Sequence, residues 1–311
     1  MLEKHFNLTN LDADENVYFY EALRQVRSKI LEVKYPELKA RSLIPVDHEI
    51  DPGTESIVYR QFDHIGMSQI ISSYAEDLPM VEVDGKEFVS KVKSHGIGYQ
   101  YSIMDVKRSA KANMPLETKK AQAARKGFEF TVDEIAANGE AQHGLLGLLN
   151  QPNALSFVIP NNAAETSALW QDKTPDEILR DLNGPTLYMI DQTNGVETPD
   201  TMLLTPYELG FISTTPRSQN SDTTILDYFL KTNGYIKNVE PWHRLKGAGA
   251  DDTNRMVVYK RDPEKLQLVI PQEFEQLPPQ PVNLSFKVPC HGRIGGVVVY
   301  YPLSICYADG Y

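Results

Sequence analysis

The sequence predicts an α+β fold, and three of its segments carry that prediction. Apolar residues recur at helical spacing between Pro115 and Asn138, which indicates one long amphipathic helix. Residues 51–103 alternate apolar and polar side chains between turn signals, which is typical of long antiparallel strands. From Arg255 onward the chain consists almost entirely of short apolar runs with the composition of strands.

The overall composition limits the class of protein. The chain has 311 residues, 41% of them hydrophobic and 23% charged, which allows one large globular domain or two smaller ones. Its net charge of −11 argues against nucleic acid as a bound ligand, because binding phosphates requires a basic face. A protein that surrounds nucleic acid remains compatible with this charge, because packed nucleic acid can move along a negatively charged surface without binding to it. No apolar run reaches the roughly 20 residues that span a bilayer.

The N-terminal segment has the composition of an extension rather than of a domain. Residues 1–14 have the composition of a flexible arm, and Asn16–Val33 has a helical pattern with a mixed apolar and basic face. Pro36 and Pro45 interrupt that pattern, so the linker between them is predicted to be extended.

Residues 51–103 are predicted to form a long β-ribbon. An Asp-Pro-Gly turn begins at Asp51, and Asp84-Gly85 is a second tight-turn signal. The following residues alternate apolar side chains with lysines and then become rich in tyrosine. Because a two-stranded ribbon is marginally stable in water, it needs another surface on which to lie.

The long helix has recognisable signals at both ends. Pro115 suits the first helical position, and Asn138-Gly139 supplies a left-handed stop. The predicted buried stripe is narrow and consists of Ala121, Ala124, Phe128, Val132 and Ile135. The predicted charged flanks carry Glu117, Lys119, Lys120, Arg125, Lys126, Glu129, Asp133 and Glu134.

Shorter elements surround the long helix. Met104–Ala112 is predicted as a short basic helix, and another helix begins at Pro175. The apolar stretch 186–192 is predicted as a strand that the Asn194-Gly195 turn ends, and Ser221 as the cap of a helix over 222–234. Gly247–Asn254 is predicted as a loop. Cys290 and Cys306 lie in apolar strand-like runs, which predicts two buried free thiols.

The motifs of common enzyme classes are not found in this sequence. No two of the seven histidines have the spacing of a metal site, and there is no nucleophile elbow or phosphate-binding glycine loop with lysine. Gly247-Ala248-Gly249 lacks the third glycine of a dinucleotide fingerprint, and the acidic pair that follows would repel a pyrophosphate. We therefore predict no catalytic residue, no metal site and no cofactor.

The order of these parts resembles a known family. The sequence resembles the HK97-type major capsid proteins of tailed bacteriophages, whose fold encapsulin shells share in outline. The segments that carry the resemblance are Ala40–Val46, Tyr59–Asp63, Leu116–Gly139, Gly144–Asn153 and Val288–Gly310. Together they extend over almost the whole chain.

The resemblance implies a division into an arm, an extended hairpin called the E-loop, a peripheral domain built on a spine helix, and an axial α/β domain. The implied ranges are 1–50 for the arm, 51–86 for the E-loop, 87–145 with 258–300 for the peripheral domain, and 146–257, to which 301–311 can return, for the axial domain. Some members begin with a long scaffolding segment that this sequence lacks. A separate scaffold, no scaffold or a matured chain are therefore all open.

The function implied by the resemblance is that of a shell subunit. Pentamers and hexamers of the chain would form an icosahedral head that encloses double-stranded DNA without sequence-specific binding. Portal, scaffold and decoration proteins are the other implied partners, and no membrane is involved. The implied location is the virion, with assembly in the host cytoplasm.

Two groups of side chains are candidates for contacts between subunits. The ribbon carries aromatic and basic residues that suit a neighbour's surface, namely Tyr59, Arg60, Phe62, Tyr74 and Phe88. The helices carry basic residues that would face acidic patches, among them Arg24, Arg27, Arg108 and Lys119. If such charges set the register between subunits, added salt weakens assembly.

Three other functions remain open from the sequence. An encapsulin-type cellular compartment would keep the fold and hold cargo enzyme instead of DNA. A cytoplasmic enzyme with an unrecognised site would be a compact monomer or small oligomer. A tail or baseplate protein would form rings or tubes. Co-purified cargo enzyme in place of packaged DNA would identify the compartment, and the size and form of the particles would identify the enzyme and the tail protein.

Overall fold

The fold places one long helix against strands that are grouped in four sheets. It is taken from a computed structural model that describes residues 35–65, 82–111, 116–218 and 222–311. In the described residues the α-helices are α1 Ala40–Leu43, α2 Ile103–Lys111, α3 Leu116–Asn138, α4 Pro175–Gln192, α5 Pro206–Thr214 and α6 Ile225–Thr232. The strands there are β1 Val46–Asp47, β2 Ser56–Ile65, β3 Glu82–Lys91, β4 Lys93–Ser102, β5 Leu155–Val158, β6 Thr201–Leu204, β7 Asn238–Pro241, β8 Arg255–Tyr259, β9 Leu266–Val269, β10 Gln272–Gln276, β11 Gln280–Val282, β12 Ser285–Ile294, β13 Gly296–Val299 and β14 Ile305–Asp309.

Helix α3 is the predicted long helix, and its C-terminal stop is confirmed. Gly139 follows it with φ +67°, the left-handed conformation that glycine adopts without strain. The stripe is buried as predicted at Ala124, Phe128, Val132 and Ile135, whereas Ala121 is half-buried. One flank assignment is wrong, because Asp133 is only 1% exposed. Contacts from distant segments cover it.

The predicted ribbon consists of β2 and β3, paired antiparallel from Ser56 with Lys91 to Ile65 with Glu82. The predicted turn at Asp84-Gly85 is wrong, since both residues lie inside β3. Gly85 pairs with Phe62, and a Cβ at this position would lie 3.1 Å from the Phe62 ring. The glycine therefore gives room to an aromatic ring across the ribbon instead of reversing the chain.

Helix α3 lies against the longest sheet. Strand β12 pairs along its whole length with β4, and β10 and β11 pair with successive parts of its other side. Phe128 of the helix packs against Phe274, with ring centroids 5.7 Å apart. A Cβ at Gly292 would lie 2.4 Å from the Phe128 ring, so the close approach of helix and sheet depends on that glycine. A small sheet in the order β1-β9-β13 continues the same core.

Strands β5, β6, β7, β8 and β14 with helices α4, α5 and α6 form a region that we call the mixed domain. It is built on a five-stranded sheet in the order β5-β14-β8-β6-β7. Helices α4, α5 and α6 bury apolar side chains against it, among them Ile178, Leu182 and Phe229, around strands β6 and β8. This second core is distinct from the one around α3.

Two sequence predictions in the mixed domain are wrong. Residues 186–192 form the end of helix α4 and not a strand, because the buried positions Leu182, Thr186 and Met189 continue its helical period past an internal proline. Thr224 caps α6 by accepting a hydrogen bond from the Asp227 N–H. The predicted cap, Ser221, lies outside the described residues.

Other predictions are confirmed. Cys290 and Cys306 are free and buried, and burial raises the pKa of the Cys306 thiol to about 12. Gly247–Asn254 is an irregular loop with a single 3-10 turn. Helix α2 corresponds to the predicted basic helix. Within the described ranges, no helix is both long and apolar enough to cross a bilayer.

Candidate assembly surfaces

The ribbon is attached to the body of the protein by an aromatic cluster at its base. The Tyr59 ring stacks on Phe88 with centroids 5.2 Å apart, and it meets Tyr300 edge-on at the same distance. The Tyr59 hydroxyl donates to the backbone oxygen of Val299 at 3.3 Å. Burial raises the pKa of Tyr59. Of the predicted ribbon candidates, Tyr59 therefore has partners within its own chain.

The ribbon also exposes apolar side chains. Val58, Phe62 and Val89 are 48%, 62% and 60% exposed. Arg60 pairs with Glu87 at 3.2 Å, but an ion pair this exposed contributes at most about 1 kcal/mol. Among the described residues, each ribbon strand pairs only with the other, and the second edge of each strand favours association with another chain. Solvent-exposed apolar side chains on a protruding ribbon are the surface that a neighbouring subunit would bury.

Helix α2 is a second exposed surface. Ser102 and Asp105 cap it reciprocally, with the Asp105 N–H donating to Ser102 Oγ at 3.0 Å and the Ser102 N–H to Asp105 Oδ2 at 3.1 Å. These hydrogen bonds lower the pKa of Asp105. Arg108 is exposed, and so is Met104, at 55%. The helix thus offers both charge and apolar area to a partner.

The remaining candidate residues are placed differently. Lys119 is half-buried on helix α3 and has partners within its own chain. Tyr74, Arg24 and Arg27 lie outside the described residues. Their role in assembly stays a prediction.

The contacts of Arg41, which attach segment 38–47 to helix α3, were not predicted from the sequence. Arg41 donates to Glu129 on that helix at 2.9 Å and to Glu273 on β10 at 2.7 Å. Arg41 thereby lowers the pKa of Glu273. The only sequence signal was the segment Ala40–Val46, which carried the family resemblance without assigning these contacts.

A buried carboxylate lies one turn further along the helix. Asp133 accepts hydrogen bonds from the Ala40 N–H at 3.1 Å, from Trp242 Nε1 at 3.4 Å and from Arg244 Nε at 2.8 Å. It joins the incoming segment, the long helix and the mixed domain at one point. Such a junction fixes these three parts of the chain relative to one another.

The geometry is that of surfaces rather than of a reaction centre. In the part of the chain that the structure describes, no group of three His, Cys, Asp or Glu side chains could hold a metal ion. The groups with raised or lowered pKa values are distributed over several elements.

Comparison with known proteins identifies the family. A family model described as major capsid protein matches residues 66–311. The chain belongs to the major capsid protein family. No curated protein sequence matches it significantly.

Solved structures agree with this family. The capsid of the Myoviridae phage XM1 matches with a TM-score of 0.81 at 15% identity, covering 94% of this chain and 98% of that one. A native GTA particle capsid matches at 0.63 with 10% identity, covering 94% and 96%, and a Mycobacterium phage Ogopogo structure at 0.62 with 9% identity, covering 94% and 98%. The predicted α+β capsid fold is therefore confirmed.

Membership in the major capsid protein family also decides between the functional classes. This capsid protein is a structural component of a capsid shell, found in the virion, and not an enzyme. The family match does not favour the encapsulin-type compartment. Capsid relatives imply that copies of the chain assemble into a multimeric shell.

Proposed function

We propose that this chain builds an icosahedral phage head from pentamers and hexamers of itself, and that the head encloses double-stranded DNA. The observation that carries the proposal is the ribbon β2–β3, which exposes Val58, Phe62 and Val89 to solvent and whose strands pair, within the described part of the chain, only with each other. Ten residues per strand extend over about 30 Å at roughly 3.3 Å per residue, which is long enough to reach another subunit.

Within this proposal each part of the fold has a role. Residues 51–86 act as the E-loop, although β3 itself continues to Lys91. Residues 87–145 and 258–300 form the peripheral domain, with α3 as its spine. Residues 146–257 form the axial domain, and β14 joins it by pairing with β5 and β8. Residues 1–50 form the arm.

The proposed shell is stabilised by many modest contacts. Head-to-tail contacts close into rings when their rotation allows it, and each ring raises the effective concentration of the next contact. The exposed ribbon and helix α2 provide two such contacts on each subunit. Portal, scaffold and decoration proteins would add to them, and assembly would take place in the host cytoplasm.

The DNA is proposed to be enclosed rather than bound through base contacts. The subunit is acidic, with a net charge of −11. This charge suits a shell that encloses DNA better than a surface that binds phosphates. Sequencing the DNA of purified particles would then show no preferred binding motif.

Electron microscopy of the purified chain tests the proposal. We expect closed particles tens of nanometres across with five-fold vertices. A monodisperse monomer or small oligomer at every protein and salt concentration would contradict it, and tubes or open rings would favour a tail protein. Deleting residues 58–89 should prevent closure.

A further inference from the structure

The mixed domain contains a cavity that is separate from the contacts of the ribbon and of helix α2. Its volume is about 490 Å³, a size at which protein cavities hold small ligands or inserted side chains. It lies beside the N-terminus of helix α5 and is bordered by the 3-10 turn Trp170–Asp172, the turn His243–Leu245 and Tyr311. Several of its walls are apolar or aromatic, namely Leu169, Trp170, Pro206, Phe211 and Tyr311.

A buried carboxylate lines this cavity. Glu208 is 7% exposed, and its Oε1 accepts a hydrogen bond from Asn254 Nδ2 at 2.7 Å. Its Oε2 has no hydrogen-bond partner, and no cation lies within ion-pairing distance of it in the described residues. Burial raises the pKa of Glu208. An unpaired buried carboxylate is costly, so a positive charge brought next to it is strongly favoured.

Aromatic rings surround the same space. Trp170 and Tyr311 are each 3% exposed, with ring centroids 4.7 Å apart. Tyr207, 62% exposed, stands at the rim and accepts a hydrogen bond from Gln171 Nε2 at 2.9 Å. Ring faces attract ammonium and guanidinium groups, and a carboxylate among them strengthens this selectivity. The combination is suited to an organic cation.

The chain's own basic groups at the cavity leave the carboxylate without a direct partner. Lys246 is exposed at the rim and acts on Glu208 only through its longer-range charge. Burial lowers the pKa of His243, which keeps its imidazole predominantly neutral at pH 7. Neither forms an ion pair with Glu208.

We propose that this cavity receives a lysine or arginine side chain from a second copy of the chain. The inference rests on the proposed shell function, because only assembly places other copies beside every subunit. The rim supports a protein-borne guest over a free small molecule, since Leu169 and Tyr207 are 53% and 62% exposed and would be covered by the body of a neighbour. The guest's charge pairs with Glu208 and its alkyl stem packs against the aromatic walls.

A cryo-electron microscopy map of the assembled shell tests the inference directly. We expect continuous density from a neighbouring subunit that ends in a lysine or arginine side chain beside Glu208. Density from an unconnected small molecule, an apolar neighbour side chain, an unfilled cavity or Lys246 folded inward would each overturn it. Particles that fail to form would instead contradict the proposed shell function, so the two failures are distinguishable.

Substitutions at the cavity give a second test. In Glu208→Gln we expect the critical concentration for assembly to rise about tenfold, as for loss of one desolvated charge contact, while dissociated subunits unfold at an unchanged or higher temperature. If Glu208 only stabilised the fold of the subunit, Glu208→Gln would lower the stability of both the dissociated subunit and the shell. Lys246→Met removes the chain's own cation from the rim, and we expect its critical concentration not to rise, because an incoming cation then meets less repulsion. A larger rise in Lys246→Met than in Glu208→Gln would overturn the inference.

Discussion

Arg244 donates through Nε to the buried Oδ2 of Asp133 at 2.8 Å. The side chains are 16% and 1% exposed, so the pair is largely removed from water. The other oxygen of Asp133 is used by the Ala40 N–H and by Trp242 Nε1. One carboxylate thus satisfies three donors from two segments that are distant from it in sequence, and the junction depends on its charge.

Replacing Asp133 with Asn should destabilise the subunit by about 3 kcal/mol, because Arg244 Nε loses its buried charged acceptor. The measurement is urea-induced unfolding of dissociated subunits, followed by tryptophan fluorescence. Glu134 also contacts Arg244, but its side chain is 50% exposed. Glu134→Gln is the control and should change stability by no more than about 0.5 kcal/mol. Equal effects of the two substitutions would mean that burial of Asp133 does not matter.

Two glycines should respond to alanine in opposite directions. Gly296 has φ +73°, and a Cβ there would lie 2.5 Å from the Leu146 oxygen, so Gly296→Ala should cost more than about 1 kcal/mol. Gly210 lies exposed inside helix α5 with no atom within 4 Å of an added Cβ. Gly210→Ala should stabilise the subunit by about 0.5–1 kcal/mol. Thermal unfolding of dissociated subunits measures both changes, and a stabilised Gly296→Ala protein would contradict the described backbone.

Hydrogen exchange should separate the ribbon from the body. In dissociated subunits we expect amides of 58–62 to exchange much faster than those of the buried strand β8, because the ribbon has few buried contacts beyond Tyr59. Assembly should slow exchange in the ribbon and leave β8 unchanged. Strong protection of 56–62 before assembly would show that the ribbon gains its order within one chain.

Salt should weaken assembly through exposed cations such as Arg108. Arg108→Gln should raise the critical concentration at low salt and reduce its dependence on added salt, because one screened attraction is lost. Light scattering over a salt series measures this. Arg41 is the contrasting cation, since it is bound inside its own chain to Glu129 and Glu273. Arg41→Gln should lower subunit stability and leave the salt dependence of assembly as it was.

Glu208 should give the subunit a specific pH dependence. Its pKa in the folded state is raised above the ordinary 4.5, so the folded subunit holds this proton more tightly than the unfolded chain. The stability of the parent relative to Glu208→Gln is therefore highest below pH 4.5 and decreases as pH rises through the folded-state pKa. Urea unfolding of both proteins between about pH 4 and 8 measures the difference. If the stability of the parent relative to Glu208→Gln increased with pH, that result would contradict burial of this carboxylate.

Local signals in the sequence predicted much of the fold. The bounds of helix α3 follow from an apolar period and from Gly139, both of which act within one or two turns. The strands after Arg255 and the burial of Cys290 and Cys306 follow from runs of apolar side chains. The order of these elements was also enough to relate the chain to a capsid family.

The failures share one physical cause. Asp133 has the spacing of a charged flank, yet segments about 90 and 110 residues away cover it. Gly85 follows an aspartate as in a turn, yet a ring on the paired strand uses its space. Residues 186–192 are apolar enough for a strand, yet their side chains continue the buried face of α4.

The sequence by itself determined the helix and strand content, the charge and the family, because periodicity and composition are local properties that survive in any arrangement of the elements. Tertiary structure alone decided which carboxylates are buried, what attaches the ribbon and where the cavity beside Glu208 lies. Those features form where residues far apart in sequence pack together and exclude water. A local sequence pattern contains no information about which distant residues will do so.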